Sequence, residues 1–321
     1  MSSIGFIARF SSFDLLNKPD SADNRYSIFQ PLLETLVHDN HRLYEMENQD
    51  KTNVLYRTLA ALYELGATQE QSIKAYYNIL PDLVPLRSTI SMEITKDNWR
   101  EHLGNSSFYA AYLAFFAHQI HEKGMDEAVH EYLLGGRLYA SIGSHLQPLV
   151  HLTFGLEHDL ALVVAQGLAY LASTYSDISD MLSIDSSFPQ CSETKEEKVI
   201  FELIASDPRF SGRMGDRLTS SQASKRLLKT HKQLLTAYMN SSDISLGRLA
   251  RIAAGLLVAT SGDKSLAAVQ LLESALAMQT ICSRYGEQPE LLLPLSKSRR
   301  EYVIYRTQRL GTLHRRNFGT G

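Results

Sequence analysis

Residues 106–124 read SSFYAAYLAFFAHQIHEKG, and this stretch decides the fold class. Its apolar side chains fall three and four places apart, the spacing of one face of an α-helix, and it closes on Gly124, a residue suited to a helix C-terminus. The pattern recurs in VLYRTLAALYELGA (54–67), which turns at Gly66, in MDEAVHEYLLGG (125–136) and in DLALVVAQGLAYLASTYSD (159–177). It returns in KEEKVIFELIAS, SQASKRLLKTHKQLLTAYMN, DISLGRLARIAAGLLVAT, SLAAVQLLESALAMQTICSRY and SRREYVIYRTQRLGTL. Strand-like alternation is scarce, with RSTISMEI (87–94) the best candidate. These features predict an all-α protein, a single helical domain over 1–321 whose helices pack around a central apolar cavity. A Ser-, Asp- and Lys-rich interval over 176–196 reads as a flexible loop, and 312–321 as a short basic tail.

Composition narrows the function. The 321 residues carry a formal net charge of −3 with no basic face, so no nucleic-acid partner is expected. The two cysteines, Cys191 and Cys282, make neither a CxxC metal site nor a disulfide framework. The N-terminal residues lack the basic leader of a signal peptide, and the longest apolar runs are too short to span a bilayer. A cytoplasmic protein with no membrane association is the expectation. No GxGxxG or GxxxxGK[ST] phosphate cradle occurs, and no HExxH or GxSxG, so no nucleotide cofactor is implied.

The run SHLQPLVHLTFGLEH (144–158) sets three histidines, Gln147 and Pro148 in an otherwise apolar stretch. Polar groups inside an apolar helix are costly unless something satisfies them. Gln147 and His151 are four apart and share a helical face. His145 lies six before His151, off that face unless Pro148 kinks the run. His158, after Glu157, reads as a helix-end polar residue. His118 and His121 are three apart but sit beside Gln119, Glu122 and Lys123, as at a solvated helix end. Tyr56, Tyr63, Phe108, Tyr109, Tyr112, Phe115 and Phe116 read as core, with some rings able to stack on a flat ligand.

In order and spacing, several segments together resemble the questin oxidase-like family. They are DNHRLY (39–44), NVLYRTLAALYELGAT (53–68), Lys74-Ala75-Tyr76, WREHLGNSSFYAAYLAFF (99–116), EAVHEYLL (127–134), the 144–158 run, IASDPRF (204–210) and LLVATSGDKSLAAVQLLESAL (256–276). The resemblance implies a mostly helical fold and tailoring of polycyclic aromatic polyketides. It also implies, for ring-cleaving members, an iron held by histidines on inward-facing helices. This sequence departs at those positions. Val54, Arg57 and Thr58 stand where the family reads histidine, Gln147 replaces the first histidine of His-Pro-x-x-His, and Gln270 replaces a later one. His151 survives. The expectation is therefore a site without metal or other cofactor.

His151 is open to three readings: an acid–base group, a hydrogen-bonded core histidine, or a remnant metal ligand. The leading functional reading is a metal-independent cyclase or isomerase acting on a small hydrophobic or aromatic substrate. In it His151 moves a proton, Tyr56 donates to a developing enolate and Arg57 meets an anionic oxygen. Gln147 and Gln270 hold polar substrate groups, and His145, Thr58 and Val54 line the site. The alternatives are an oxidoreductase of Baeyer–Villiger or ring-cleaving type, and a non-catalytic binding protein. A homo-oligomer is compatible with the sequence.

Overall fold

The computed structural model describes residues 38, 40–41, 43–48, 51–86, 92–136, 138–179, 226, 229–234, 236, 246–259 and 266–286. Residues 87–91 of the strand candidate, most of the 176–196 interval, KEEKVIFELIAS, IASDPRF, SRREYVIYRTQRLGTL and the 312–321 tail lie outside them. Helix dominates the described residues, as the periodicity predicts. Their named strands form one small antiparallel hairpin, β1 (Glu47–Asn48) with β2 (Lys51–Thr52), pairing Glu47 with Thr52. Among them, no helix is long and apolar enough to cross a membrane. The chain divides into two compact units: the described residues up to Tyr132 with His151–Thr174, and Leu133–Val150 with the described residues from Tyr175 onward.

In the first unit, α1 (Leu55–Glu64) begins where Asn53 folds back on its backbone. The Leu55 amide donates to Asn53 Oδ1 at 3.1 Å. Asn53 Nδ2 donates in turn to Asn40 Oδ1 at 2.7 Å and to the Glu45 carbonyl at 3.2 Å. One asparagine thus starts the helix and ties it to the preceding segment. Leu55 and Leu59 then fall on the buried face, each contributing about 1.5–3 kcal/mol by leaving water. The chain turns at Gly66 and enters α2 (Gln69–Ile79) through a capping box. There the Gln71 amide donates to Thr68 Oγ1 at 3.3 Å and the Thr68 amide to Gln71 Oε1 at 2.7 Å.

The opening stretch becomes α3 (Tyr109–Lys123), which ends at Gly124 with φ +88°, a positive-φ backbone that a side chain would strain. Its buried face carries Tyr109, Tyr112, Leu113, Phe115, Phe116 and Ile120 and packs against α5 (Ala161–Ser173). Gln119 is also buried, accepting from the Tyr132 hydroxyl at 2.9 Å. His118 is half exposed beside Glu122, in keeping with a solvated helix end. The MDEAVHEYLLGG stretch departs from expectation: only Met125–Ala128 is α-helical, and Val129–Gly135 winds as a π-helix.

The run 144–158 is α4 (Gln147–Glu157), and its break precedes Pro148 rather than following from it. Ser144, His145 and Leu146 have φ of 46°, 57° and 62°, three consecutive left-handed residues with none of them glycine. Such backbone costs roughly 1–2 kcal/mol per residue. Pro148 lies in the first turn of α4, where the missing amide hydrogen leaves no bond unmade. From His151 onward α4 lies in the first unit and meets α5 at very close range. A Cβ on Gly167 would fall 2.6 Å from Leu152 Cα, and one on Gly155 2.8 Å from the Val164 amide nitrogen.

In the second unit, α6 (Leu246–Ala259) packs against α7 (Leu266–Tyr285). Ser141 Oγ accepts from the amides of Gly143 and Ser176, both at 3.0 Å, fixing the approach to the left-handed turn.

Candidate functional site

The glycine-to-backbone approach of α4 and α5 dictates the site in the first unit. Leu152 and Gly167 touch, so their neighbours His151 and Gln166 must face each other. His151 Nε2 lies 3.2 Å from Gln166 Oε1. His151 is 1% exposed and Gln166 2%. With a carboxamide oxygen as partner, the ring proton sits on Nε2, and Nδ1 carries a lone pair. Nδ1 has no hydrogen-bond partner among the described residues; Gln166 Nε2 and the Tyr109 hydroxyl form no bond of full hydrogen-bond geometry but interact with each other, the amide donating toward the phenol oxygen. Tyr109, on α3, is buried beside the Gln166 carboxamide. Burial raises its phenol well above the ordinary range, and Gln166 offsets part of that rise.

The imidazole is neutral. Burial pushes His151 down to about 3, the positive charge of Arg57 adds to this, the Gln166 contact opposes it and His41 adds a smaller push. His41 is 5% exposed, and Arg57, half-buried on α1, supplies the cationic field of the site. A base whose conjugate acid titrates this far below neutrality is a poor proton shuttle at pH 7.

Tyr56 belongs to a different environment of the same unit. It packs with Leu55, Leu59, Leu160 and Val163 and sets its ring edge-on to Phe154 at 5.3 Å. Its hydroxyl is buried with no hydrogen-bond partner among the described residues, and burial, with the Glu64 carboxylate adding, pushes it far above the usual phenol range. Val54 precedes α1 and is 37% exposed. Thr58, half-buried, continues α1 by donating its amide to the Val54 carbonyl at 2.9 Å.

In the second unit, Gln147 is 2% exposed, and its Nε2 donates to Glu273 Oε2 at 3.3 Å. Gln270, one turn before Glu273 on α7, gives its carbonyl to the Ser274 hydroxyl at 2.6 Å. The same hydroxyl reaches the His145 carbonyl at 3.5 Å. Gln147 thus joins α7 through its side chain, Gln270 and His145 share the Ser274 hydroxyl through their backbone carbonyls, and in the first unit the charge of Arg57 acts on His151. Three further residues of the His151 site escape motif reasoning: Gln166, Tyr109 and His41. Gln166 had a readable signal, a single amide inside the apolar run ALVVAQGLAYLAS.

The donor chemistry tests the implied iron. At the positions in question stand a valine, an arginine, a threonine and two glutamines, and His151 alone offers an imidazole. Among the described residues no three His, Cys, Asp or Glu side chains gather as a ligand group. Amide and guanidinium groups are poor partners for a transition metal. These residues do not fit an iron centre.

Fold and site together define an all-α protein with a half-satisfied polar site sealed between close-packed helices. Residues 52–290 match the family model described as Questin oxidase-like, so the chain belongs to that family. It is 28% identical over 145 residues to Questin oxidase of Aspergillus fumigatus, covering 42% of this chain and 32% of that protein. It is 29% identical over 153 residues to Baeyer-Villiger monooxygenase dmxR6 of Cryptosporiopsis sp., covering 43% and 34% respectively. It is 28% identical over 150 residues to Oxidoreductase AflY of Aspergillus parasiticus, covering 42% and 30%. The matched stretch spans about a third of each relative's length.

Proposed function

We propose that this protein is an oxidoreductase that oxygenates an aromatic, polyketide-like substrate, in place of the cyclase reading that the sequence put first. Kinship supports this: the relatives' names describe an oxidase, a monooxygenase and an oxidoreductase. The observation that carries it to the site is the state of His151. An imidazole held down to about 3 is ill-suited to the proton shuttling that a cyclase would ask of it. It is well suited to holding a substrate oxygen by a hydrogen bond. His151 Nδ1, buried with no hydrogen-bond partner among the described residues, supplies the acceptor for that bond, because a buried polar atom left unpaired costs about 1–3 kcal/mol until a partner meets it. In a monooxygenation, one atom of dioxygen enters the substrate and the other leaves as water, with two electrons and two protons drawn from a reduced organic co-substrate.

Deletion of the encoding gene in its native host, with the culture grown under oxygen-18 gas, tests this. The accumulated intermediate is expected to lack one oxygen atom relative to the wild-type product, and that atom carries the label in the wild type. An intermediate of the same mass as the product contradicts oxygenation and returns the cyclase reading.

A further inference from the structure

The His151–Gln166 pair is sealed, and Nδ1 of the imidazole is shut away from solvent. A ligand meets that nitrogen only where part of the cover lifts. The first unit is not uniformly hard to lift. Helices α1, α3, α4 and α5 carry the buried apolar side chains that hold it together. The β1–β2 hairpin carries none. Its described residues, Glu47, Asn48, Lys51 and Thr52, are all polar, and none of them is buried. Raising it exposes little apolar surface, and elements of that kind open locally first.

Specific polar contacts hold the hairpin down. The hydroxyl of Tyr170, a buried residue of α5, donates to Glu47 Oε2 at 2.8 Å and lies 3.2 Å from Thr52 Oγ1. With its hydrogen given to Glu47, the phenol accepts from the Thr52 hydroxyl, so one side chain grips both strands. Farther out, Lys51 Nζ meets Asp82 Oδ1 at 2.8 Å, and Asn48 Nδ2 donates to the Asp82 carbonyl at 3.1 Å. That ion pair is exposed on both sides and holds weakly. The base of the hairpin is fixed: Met46 and Asn53 are buried, and the Asn53 amide donates to the Met46 carbonyl at 2.8 Å.

The hairpin lies beside the site. Tyr170 follows Gln166 by four residues, so the two share a face of α5 with their Cβ atoms about 5–6 Å apart. The segment that leads into the hairpin runs alongside, with His41 acting on His151 and Glu45 on Tyr109. We propose that the β1–β2 hairpin is a flap over the His151–Gln166 pair, hinged at Met46 and Asn53 and latched by the Tyr170 hydroxyl. Opening breaks the bonds of Tyr170 to Glu47 and Thr52 and uncovers the face of α5 that bears Gln166. That a ligand is what enters rests on the functional reading above, whereas the flap and its latch rest on the geometry alone.

The test is Tyr170→Phe in the full-length protein at pH 7, with two readouts that both follow the open population. Amide hydrogen exchange reports on the hairpin and is expected to quicken about tenfold there, the worth of a hydrogen bond to a charged group. Acylation by diethyl pyrocarbonate, which attacks unprotonated ring nitrogens, reports on the site when mass spectrometry resolves each histidine. His151 is expected to react about tenfold faster than in the wild type. His145, buried in the second unit, is expected to keep its wild-type rate, as are the amides of α5. Should Tyr170→Phe fail to fold, Glu47→Gln takes its place: it keeps the shape of the latch, removes its charge and is expected to raise both rates about threefold. Hairpin exchange at the wild-type rate in the folded variant overturns the latch. Faster hairpin exchange with unchanged acylation of His151 overturns the flap. A rise at His145 equal to that at His151 marks general loosening and overturns it as well. None of these readings involves turnover, so failure of the oxygenation assay leaves them intact, and their failure leaves that assay intact.

Discussion

Two residues of α4, one turn apart, have met opposite fates. Gln147, in the second unit, is buried and donates to the Glu273 carboxylate. His151, in the first, is equally buried, yet only one of its nitrogens is spoken for. The difference teaches how to weigh a polar residue at a position where the family reads histidine. The amide at 147 has been absorbed into local structure, and its partner sits on the same helix as Gln270. The imidazole at 151 has been left open on one side by its tautomer. Burial alone does not distinguish the two; the count of satisfied atoms does.

The largest expected effect breaks the frame around His151. Gly167→Ala puts a methyl group 2.6 Å from Leu152 Cα, against backbone that cannot turn aside. A loss of about 3 kcal/mol is expected, read as a lowered urea midpoint, with release of the His151–Gln166 bond. Gly255→Ala, inside α6 where nothing lies within 4 Å, is the control and should raise the midpoint modestly, by the roughly 1 kcal/mol that alanine gains over glycine in a helix.

The next effect is one of pH. The folded-state value of His151 lies far below that of an unfolded histidine. The unfolded chain therefore takes up a proton that the folded chain refuses, and stability falls as pH drops from about 6.5 toward 3. Between pH 6.5 and 5 this one group should remove about 2 kcal/mol. His151→Leu should flatten that part of the stability profile; a profile of unchanged slope would contradict the assignment.

A smaller effect probes the satisfied member of the pair. Gln147→Leu removes one charge-assisted hydrogen bond to a partly exposed carboxylate, costing about 1 kcal/mol, with kinetics of the proposed oxygenation close to those of the wild type. A large fall in kcat with unchanged stability would move Gln147 into the site. Smallest of all, Tyr56→Phe deletes a buried hydroxyl that has no partner among the described residues. Thermal denaturation should show a change within about 1 kcal/mol, neutral to stabilising.

Much of the frame was legible in the sequence. The 106–124 periodicity gives α3, 54–67 gives α1, and Gly66 and Gly124 mark their ends, because a 3.6-residue repeat and a glycine cap are local signals. The π-helix at Val129–Gly135 was not legible, since its apolar spacing reads as α-helix over so short a stretch. Nor was the left-handed turn at Ser144–Leu146, where tertiary contacts hold backbone that no local preference favours. The β1–β2 hairpin, two residues a side, is too short to show alternation. Of the candidate site, His151 and Arg57 were readable from motif positions. Tyr109 was readable only as a core ring, and neither its place beside Gln166 nor the action of His41 on the imidazole was legible, because both come from elements distant in sequence.

The central claim is that His151 is a neutral hydrogen-bond acceptor held in one tautomer. Nitrogen-15 NMR of histidine-labelled protein, followed from pH 8 to pH 4, tests it most directly. The account predicts one imidazole that keeps its proton on Nε2 and shows no protonation of Nδ1 across that range. A His151 signal that titrates with a midpoint near 6.5 would contradict it and restore the residue as a proton shuttle.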